Sequence, residues 1–82
     1  MSDEELFEEL RALCAKILSV EATVLTRDLD LREELEADSL DVAELAAATE
    51  DRFGVRLDLD TAKQARTLGD VMALVGTAGR AG

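Results

Sequence analysis

Apolar residues three and four positions apart recur in three separate stretches of this chain, and that period admits helices and little else. In the first stretch Leu6, Leu10, Leu13, Cys14 and Ile17 form one stripe, which predicts a helix over roughly residues 3–18. Ser2 or Asp3 is placed to cap it, and Asp3, Glu4 and Glu5 suit the positive end of the helix dipole. The second stretch predicts a helix from about Ser39 to Phe53, closed by Gly54 as the residue after the C-cap. In the third, Thr67 is the expected N-cap with Asp70 in a capping-box role, and Leu68, Val71, Met72 and Val75 are the core face. Between them, Val55 and Leu57 lead into a short segment, Asp58–Ala65, with room for one or two helical turns. No strand pattern competes. The expected fold is all-α: a four-helix bundle of three main helices plus one short helix, with a long loop between helices 1 and 2. One domain spans residues 1–82, with its core over about 3–76 and a flexible tail over 77–82 that begins beyond Gly76.

The long connection, residues 19–37, lacks clean periodicity. A structureless loop of that length is unusual in a compact domain and often functional. Its apolar residues Val20, Val24, Leu25, Leu29, Leu31 and Leu35 are expected to pin it across the helices, with a short turn around Arg32–Leu35. The run from Asp28 to Arg32 faintly resembles the start of a calcium loop. Glu33 stands where the sharp turn needs glycine and Ser39 where a bidentate glutamate belongs, so calcium is rejected.

Composition narrows the chemistry. A chain of 82 residues buries only about 60–65% of its unfolded surface and has no room for a cleft between domains. With no histidine, Ser-His and Cys-His catalysis are excluded, as is a His-containing zinc site. The lone Cys14 lies on the first apolar stripe, has no internal disulfide partner, and is expected to be buried and inert. The acidic opening MSDEELFEEL has neither the basic nor the apolar region of a secretory signal, and no apolar run is long enough to span a bilayer. A soluble, cytoplasmic protein is expected. Nineteen acids against nine bases give a net charge of −10, which repels nucleic acid and anionic lipid and attracts basic protein surfaces. Acidity alone also serves solubility, so it gains functional weight only where acids gather beside a reactive group.

One such place is the tetrapeptide Asp38-Ser39-Leu40-Asp41 at the head of the second helix. Asp38 and Ser39 are both good caps, and on the tetrapeptide alone a helix start is sufficient explanation. Ser39 has no base near it in sequence, so any chemistry there requires activation by another protein. On a helical wheel at about 100° per residue, Val42, Leu45, Ala46, Thr49 and Phe53 share the core face. Leu40 falls nearly opposite, with Ala43, Glu44, Ala47 and Asp51 around it. An exposed leucine beside small alanines, rimmed by Asp38, Asp41 and Glu44, has the layout of a small docking patch.

The sequence EADSLD, followed by VAELAAATEDRFGVRL and then TLGDVMALV, resembles the bacterial acyl carrier proteins without gaps from about Leu35 to Val75. That resemblance implies a carrier and not an enzyme. In the family a separate phosphopantetheinyl transferase, using magnesium, moves 4′-phosphopantetheine from coenzyme A onto the motif serine. Carried over, Ser39 is the attachment residue and Asp38 helps orient the transferase complex. Leu40, Asp41, Ala43, Glu44, Ala47 and Asp51 would form the partner-recognition face. The implied partners are the transferase, acyltransferases, ketosynthases and other basic-surfaced enzymes of fatty acid, polyketide or specialised-metabolite biosynthesis, served by a monomer. No nucleic acid, membrane or metal is implied.

Four positions depart from the common fatty-acid carrier pattern. Glu36 stands where glycine is usual, Ala43 and Ala47 replace bulkier apolar residues, and Asp58 replaces a proline. These departures lean towards a polyketide or other specialised pathway. Ala46 and Thr49, on the core face, are expected to shape any cavity that receives a bound chain. Two other classes fit the same residues: a peptidyl or aminoacyl carrier, and an unmodified acidic helical adaptor.

Overall fold

The computed structural model describes residues 2–80. Helix α1 is Asp3–Leu18, α2 is Leu31–Leu35, α3 is Ser39–Phe53, α4 is Leu59–Lys63 and α5 is Leu68–Arg80, with a single 3-10 turn at Ala22–Val24. The described residues contain no strand, so the expected all-helical bundle is the observed one. Both main boundaries before α5 follow from local capping. The Ser2 hydroxyl accepts from the Glu5 N–H at 3.2 Å while the Glu5 carboxylate accepts from the Ser2 N–H, a reciprocal pair that starts α1. At the far end of α3, Gly54 takes the left-handed conformation at φ +65° and its N–H donates to Glu50 C=O. Thr67 and Asp70 form the expected box at α5: the Asp70 N–H donates to the Thr67 hydroxyl, and the Asp70 carboxylate accepts from the Thr67 N–H, each at 3.1 Å.

Helix α1 lies antiparallel to α3. The Arg52–Glu9 ion pair joins the end of α3 to the middle of α1, and Cys14, Ile17 and Leu18 at the end of α1 meet Asp41, Val42 and Leu45 in the first half of α3. Helix α5 packs on α1, and α4 on α3. Leu10, Leu25 and Leu68 are completely buried and, with Cys14, Leu31, Leu45, Val71, Met72 and Val75, make the core. Burial raises the Cys14 thiol to about 11, helped by the nearby Asp41 charge, so it stays protonated at neutral pH.

Helix α5 continues through Gly76 to Arg80, into the segment 77–82 that was expected to be a flexible tail. A glycine lowers helix stability by only about 1 kcal/mol relative to alanine, too little to stop a helix already anchored by Val71, Met72 and Val75. Residues 81–82 of that tail lie outside the described residues. One expectation, on the long loop, is corrected. Leu25 and Leu31 pin it as expected, but Val24 is half exposed and pins nothing. The turn expected around Arg32–Leu35 is a short helix, α2, with Asp30 as its N-cap, accepting from the Arg32 and Glu33 N–H groups at 3.0 Å.

Glu36 ends α2 in the left-handed conformation, at φ +56°. For a residue with a Cβ this costs roughly 1–2 kcal/mol, which explains on this backbone why glycine suits the position. Glu36→Gly is therefore expected to stabilise the protein by about 0.5–1 kcal/mol, after the added entropy of an unfolded glycine is subtracted. Thermal denaturation should show Tm rising by a few degrees; an unchanged or lower Tm means that Glu36 bears no such strain.

Candidate functional site

Asp38 alone caps α3. Its carboxylate accepts from the Asp41 N–H at 2.9 Å, and the Asp41 carboxylate accepts from the Asp38 N–H at 3.1 Å. Ser39, which also had the chemistry of a cap, is instead the first residue inside the helix. Among the described residues its hydroxyl has no hydrogen-bond partner, and the side chain is exposed. The first intrahelical bond runs from the Val42 N–H to Asp38 C=O, so the N–H groups of Ser39 and Leu40 precede the ladder and have no partner within it. An exposed, uncommitted hydroxyl therefore sits beside two uncommitted amide donors at the positive end of a helix of 15 residues. Both neighbouring carboxylates are tied into the cap.

The remaining residues of the expected recognition face lie on the outer side of the same helix. Leu40 is 66% exposed, the largest exposure of any big apolar side chain described. Glu44, Ala47 and Asp51 are exposed, while Ala43 and Asp41 are half-buried. Neither Glu44 nor Asp51 forms an ion pair among the described residues. On the inner side Val42, Leu45, Ala46 and Thr49 are buried, as the wheel required. Thr49 is wholly buried and donates its hydroxyl to Leu45 C=O at 2.7 Å, which satisfies it within its own helix.

Beneath the motif, between α1, α2 and α3, lies a cleft of about 10 Å³. Leu31, Ala37, Val42 and Leu45 wall it with Cys14, Ile17 and Leu18, and Asp41 stands at its edge. That volume is about one water-sized sphere, so no chain of methylenes enters without movement of the helices. Ala46 and Thr49, expected to shape a cavity, do not line this one. The walls from α1 were not foreseen, because only packing brings Cys14 and Ile17 to α3. A larger open groove of about 460 Å³, between Asp3, Arg27 and α5, includes no residue of the motif.

Two carboxylates that cap the short helices are lowered by their partners. The Arg66 guanidinium, hydrogen-bonded to Asp30, holds that carboxyl below its usual range, with the backbone N–H groups at the start of α2 adding to the effect. Asp58 at the start of α4 is lowered by the Thr61 hydroxyl and N–H. A depressed carboxylate contributes stability above its unfolded value and loses it as pH falls through the lowered one, so both contributions are intact at neutral pH. Asp30 thus has its acceptors committed to Arg66 and to backbone amides. Among the described residues no cluster of three or more potential ligands gathers to hold a metal ion, and no helix is long and apolar enough to cross a membrane.

Residues 8–75 match the profile of a family described as "Phosphopantetheine attachment site". An acyl carrier protein of Saccharopolyspora erythraea is 39% identical over 74 residues, covering 90% of this chain and 78% of that protein. One from Helicobacter pylori is 39% identical over 70 residues, covering 85% of this chain and 90% of the other. Among solved structures, the backbone is similar to the solution structure of 3,5-dioxohexyl ACP, a triketide mimic from the actinorhodin polyketide synthase of Streptomyces coelicolor. The TM-score is 0.75 at 26% identity, covering 93% of both chains.

Proposed function

The chain belongs to the phosphopantetheine-attachment family, as a bacterial acyl carrier protein, and from that premise we propose that Ser39 is the residue that takes the 4′-phosphopantetheine arm. The protein is a carrier and not an enzyme, and 4′-phosphopantetheine is the prosthetic group of its family. The observation that carries the Ser39 assignment is its hydroxyl: exposed, without a hydrogen bond among the described residues, on the first residue of α3, with the capping task left to Asp38. The residues fit a phosphodiester. The free N–H groups of Ser39 and Leu40 and the helix dipole favour an anion there, and both nearby carboxylates spend acceptors on the cap. When bound, the group supplies a terminal thiol that holds acyl chains as thioesters. The protein's own residues present, orient and release it: Asp38 and Asp41 fix the helix start, and the exposed face of α3 meets the partner.

That face, Leu40 with Glu44, Ala47 and Asp51, is read as the docking surface for the transferase, acyltransferases and ketosynthases, all through basic surfaces. A visitor to several enzymes needs contacts that are weak and electrostatically steered. The small Ala43 and Ala47 leave the patch flat, and the likeness to a polyketide synthase carrier supports reading the pathway as polyketide or otherwise specialised; the protein is read as cytoplasmic. Residues 1–82 act as one monomeric carrier domain in this reading.

Mass spectrometry tests the attachment. Protein incubated with coenzyme A, magnesium and a phosphopantetheinyl transferase is expected to gain one phosphopantetheinyl group, on the peptide containing Ser39. No gain, or a gain on another peptide, overturns the assignment. Glu44→Lys tests the docking face more cleanly than a change at Asp41, whose carboxylate closes the cap of α3. Its kcat/KM as a transferase substrate is expected to fall about tenfold at low salt, with Tm unchanged and the gap narrowing as salt is added. Equal rates at low salt remove Glu44 from the docking face.

A further inference from the structure

The segment that leads into Ser39 is held from outside itself. Helix α2 has only five residues, and isolated helices shorter than about 12–15 residues are marginal in water. Left-handed Glu36 follows it directly, and only Ala37 and Asp38 then precede Ser39. Several contacts fasten α2 to the turn between α4 and α5. The Leu31 N–H donates to Arg66 C=O at 2.7 Å, and Arg66 Nε donates to Asp30 Oδ2 at 2.8 Å. Arg66 Nη2 lies 4.0 Å from Glu33 Oε1, and the Arg32 guanidinium donates to Lys63 C=O. Arg66 is itself anchored, because its N–H donates to Asp70 Oδ2 at 2.9 Å in the first turn of α5. Asp30 links the two sides: one carboxylate oxygen caps α2 and the other takes Arg66.

Resting on the reading that Ser39 is the modified residue, we propose that Arg66 is a positioning residue for it: through Asp30 it holds α2 and left-handed Glu36 in the arrangement that delivers Asp38 and Ser39 to the start of α3. Among the described residues the hydrogen bonds and ion pairs of Arg66 go to Leu31, Asp30, Glu33 and Asp70, and none goes to Ser39, Leu40 or Glu44. The Arg66 and Asp30 side chains are 50% and 30% exposed, and pairs of that exposure contribute modestly to global stability. The effect is therefore expected in how Ser39 is presented more than in whether the protein folds.

Arg66→Ala and Asp30→Asn separate this role from charge-steered docking. Asparagine still caps α2, so Asp30→Asn removes the ion pair and spares the helix start. The first substitution makes the protein more acidic and the second less so. If charge steers docking at these positions, their effects on attachment run in opposite directions. If the latch positions Ser39, both lower kcat/KM for phosphopantetheine attachment by about threefold, and the double variant loses little more than either alone. Adding Glu36→Gly, which needs no support in the left-handed conformation, should restore most of the loss in Arg66→Ala. A readout independent of the transferase is the Ala37 amide, which donates to Leu31 C=O at 3.1 Å; its hydrogen exchange should quicken several-fold in both variants. Opposite effects, wild-type rates with wild-type Ala37 exchange, or no rescue by Glu36→Gly each overturn the proposal. Failure of the wild-type protein to gain the group overturns the Ser39 assignment instead, and the Ala37 exchange still decides whether the latch holds the turn.

Discussion

Ser39→Ala is expected to abolish phosphopantetheine attachment outright while leaving Tm within about 3 °C of wild type. The two halves of that expectation come from the same geometry. The hydroxyl is the one atom through which the arm would be joined, so its removal leaves no residual route at that site. The fold does not use it: Ser39 makes no hydrogen bond among the described residues, and its neighbour Asp38 supplies the cap. Alanine is also the better helix former by about half a kcal/mol, which favours the variant slightly. Asp38→Ala is the contrasting control. It opens the capping box and is expected to cost about 1 kcal/mol, or about 4–8 °C, while the serine remains. Intact-mass spectra and thermal melts of the two variants check both. Modification of Ser39→Ala at the wild-type level, or a Tm drop matching that of Asp38→Ala, defeats the division of labour between these residues.

Leu68→Ala is expected to have the largest effect on stability. Leu68 is completely buried, opens α5, and belongs to the core cluster with Leu10, Leu25 and Val71. Its neighbourhood has little freedom to collapse: the next residue, Gly69, donates to Arg27 C=O at 3.1 Å, and a Cβ there would sit 3.3 Å from that oxygen. Removing a buried leucine side chain costs about 2–5 kcal/mol, and a domain of this size has about 4–12 kcal/mol in total. A fall in Tm on the order of 15 °C follows. Leu40→Ala, at a leucine that is mostly exposed, should change stability by less than about 0.5 kcal/mol. Comparable melts for the two variants contradict the burial pattern.

The boundaries of α1 and α3 were legible in the sequence because the signals are local: a cap residue, a box partner three residues on, a run of period 3.6, and Gly54. Leu40 pointing away from the core followed from the wheel for the same reason. The short helix α2 was visible only as a turn, since its support comes from Arg66 and Lys63, far along the chain. Glu36 carried a signal, as a departure from the glycine usual at that place, but its meaning required the backbone angle. The reach of α5 past Gly76 was not legible because glycines were weighed one by one, whereas a helix nucleated on a packed face tolerates them. The cleft under Asp41 was out of reach, being a property of three elements packed together.

Because the Ser39 hydroxyl makes no hydrogen bond among the described residues, the fold is complete before that hydroxyl is occupied. A partner that docks on Leu40 and Glu44 then meets the same surface on blank and charged molecules alike. Blank molecules would compete for those enzymes as silent occupants, and throughput would follow the charged fraction rather than the total amount of protein.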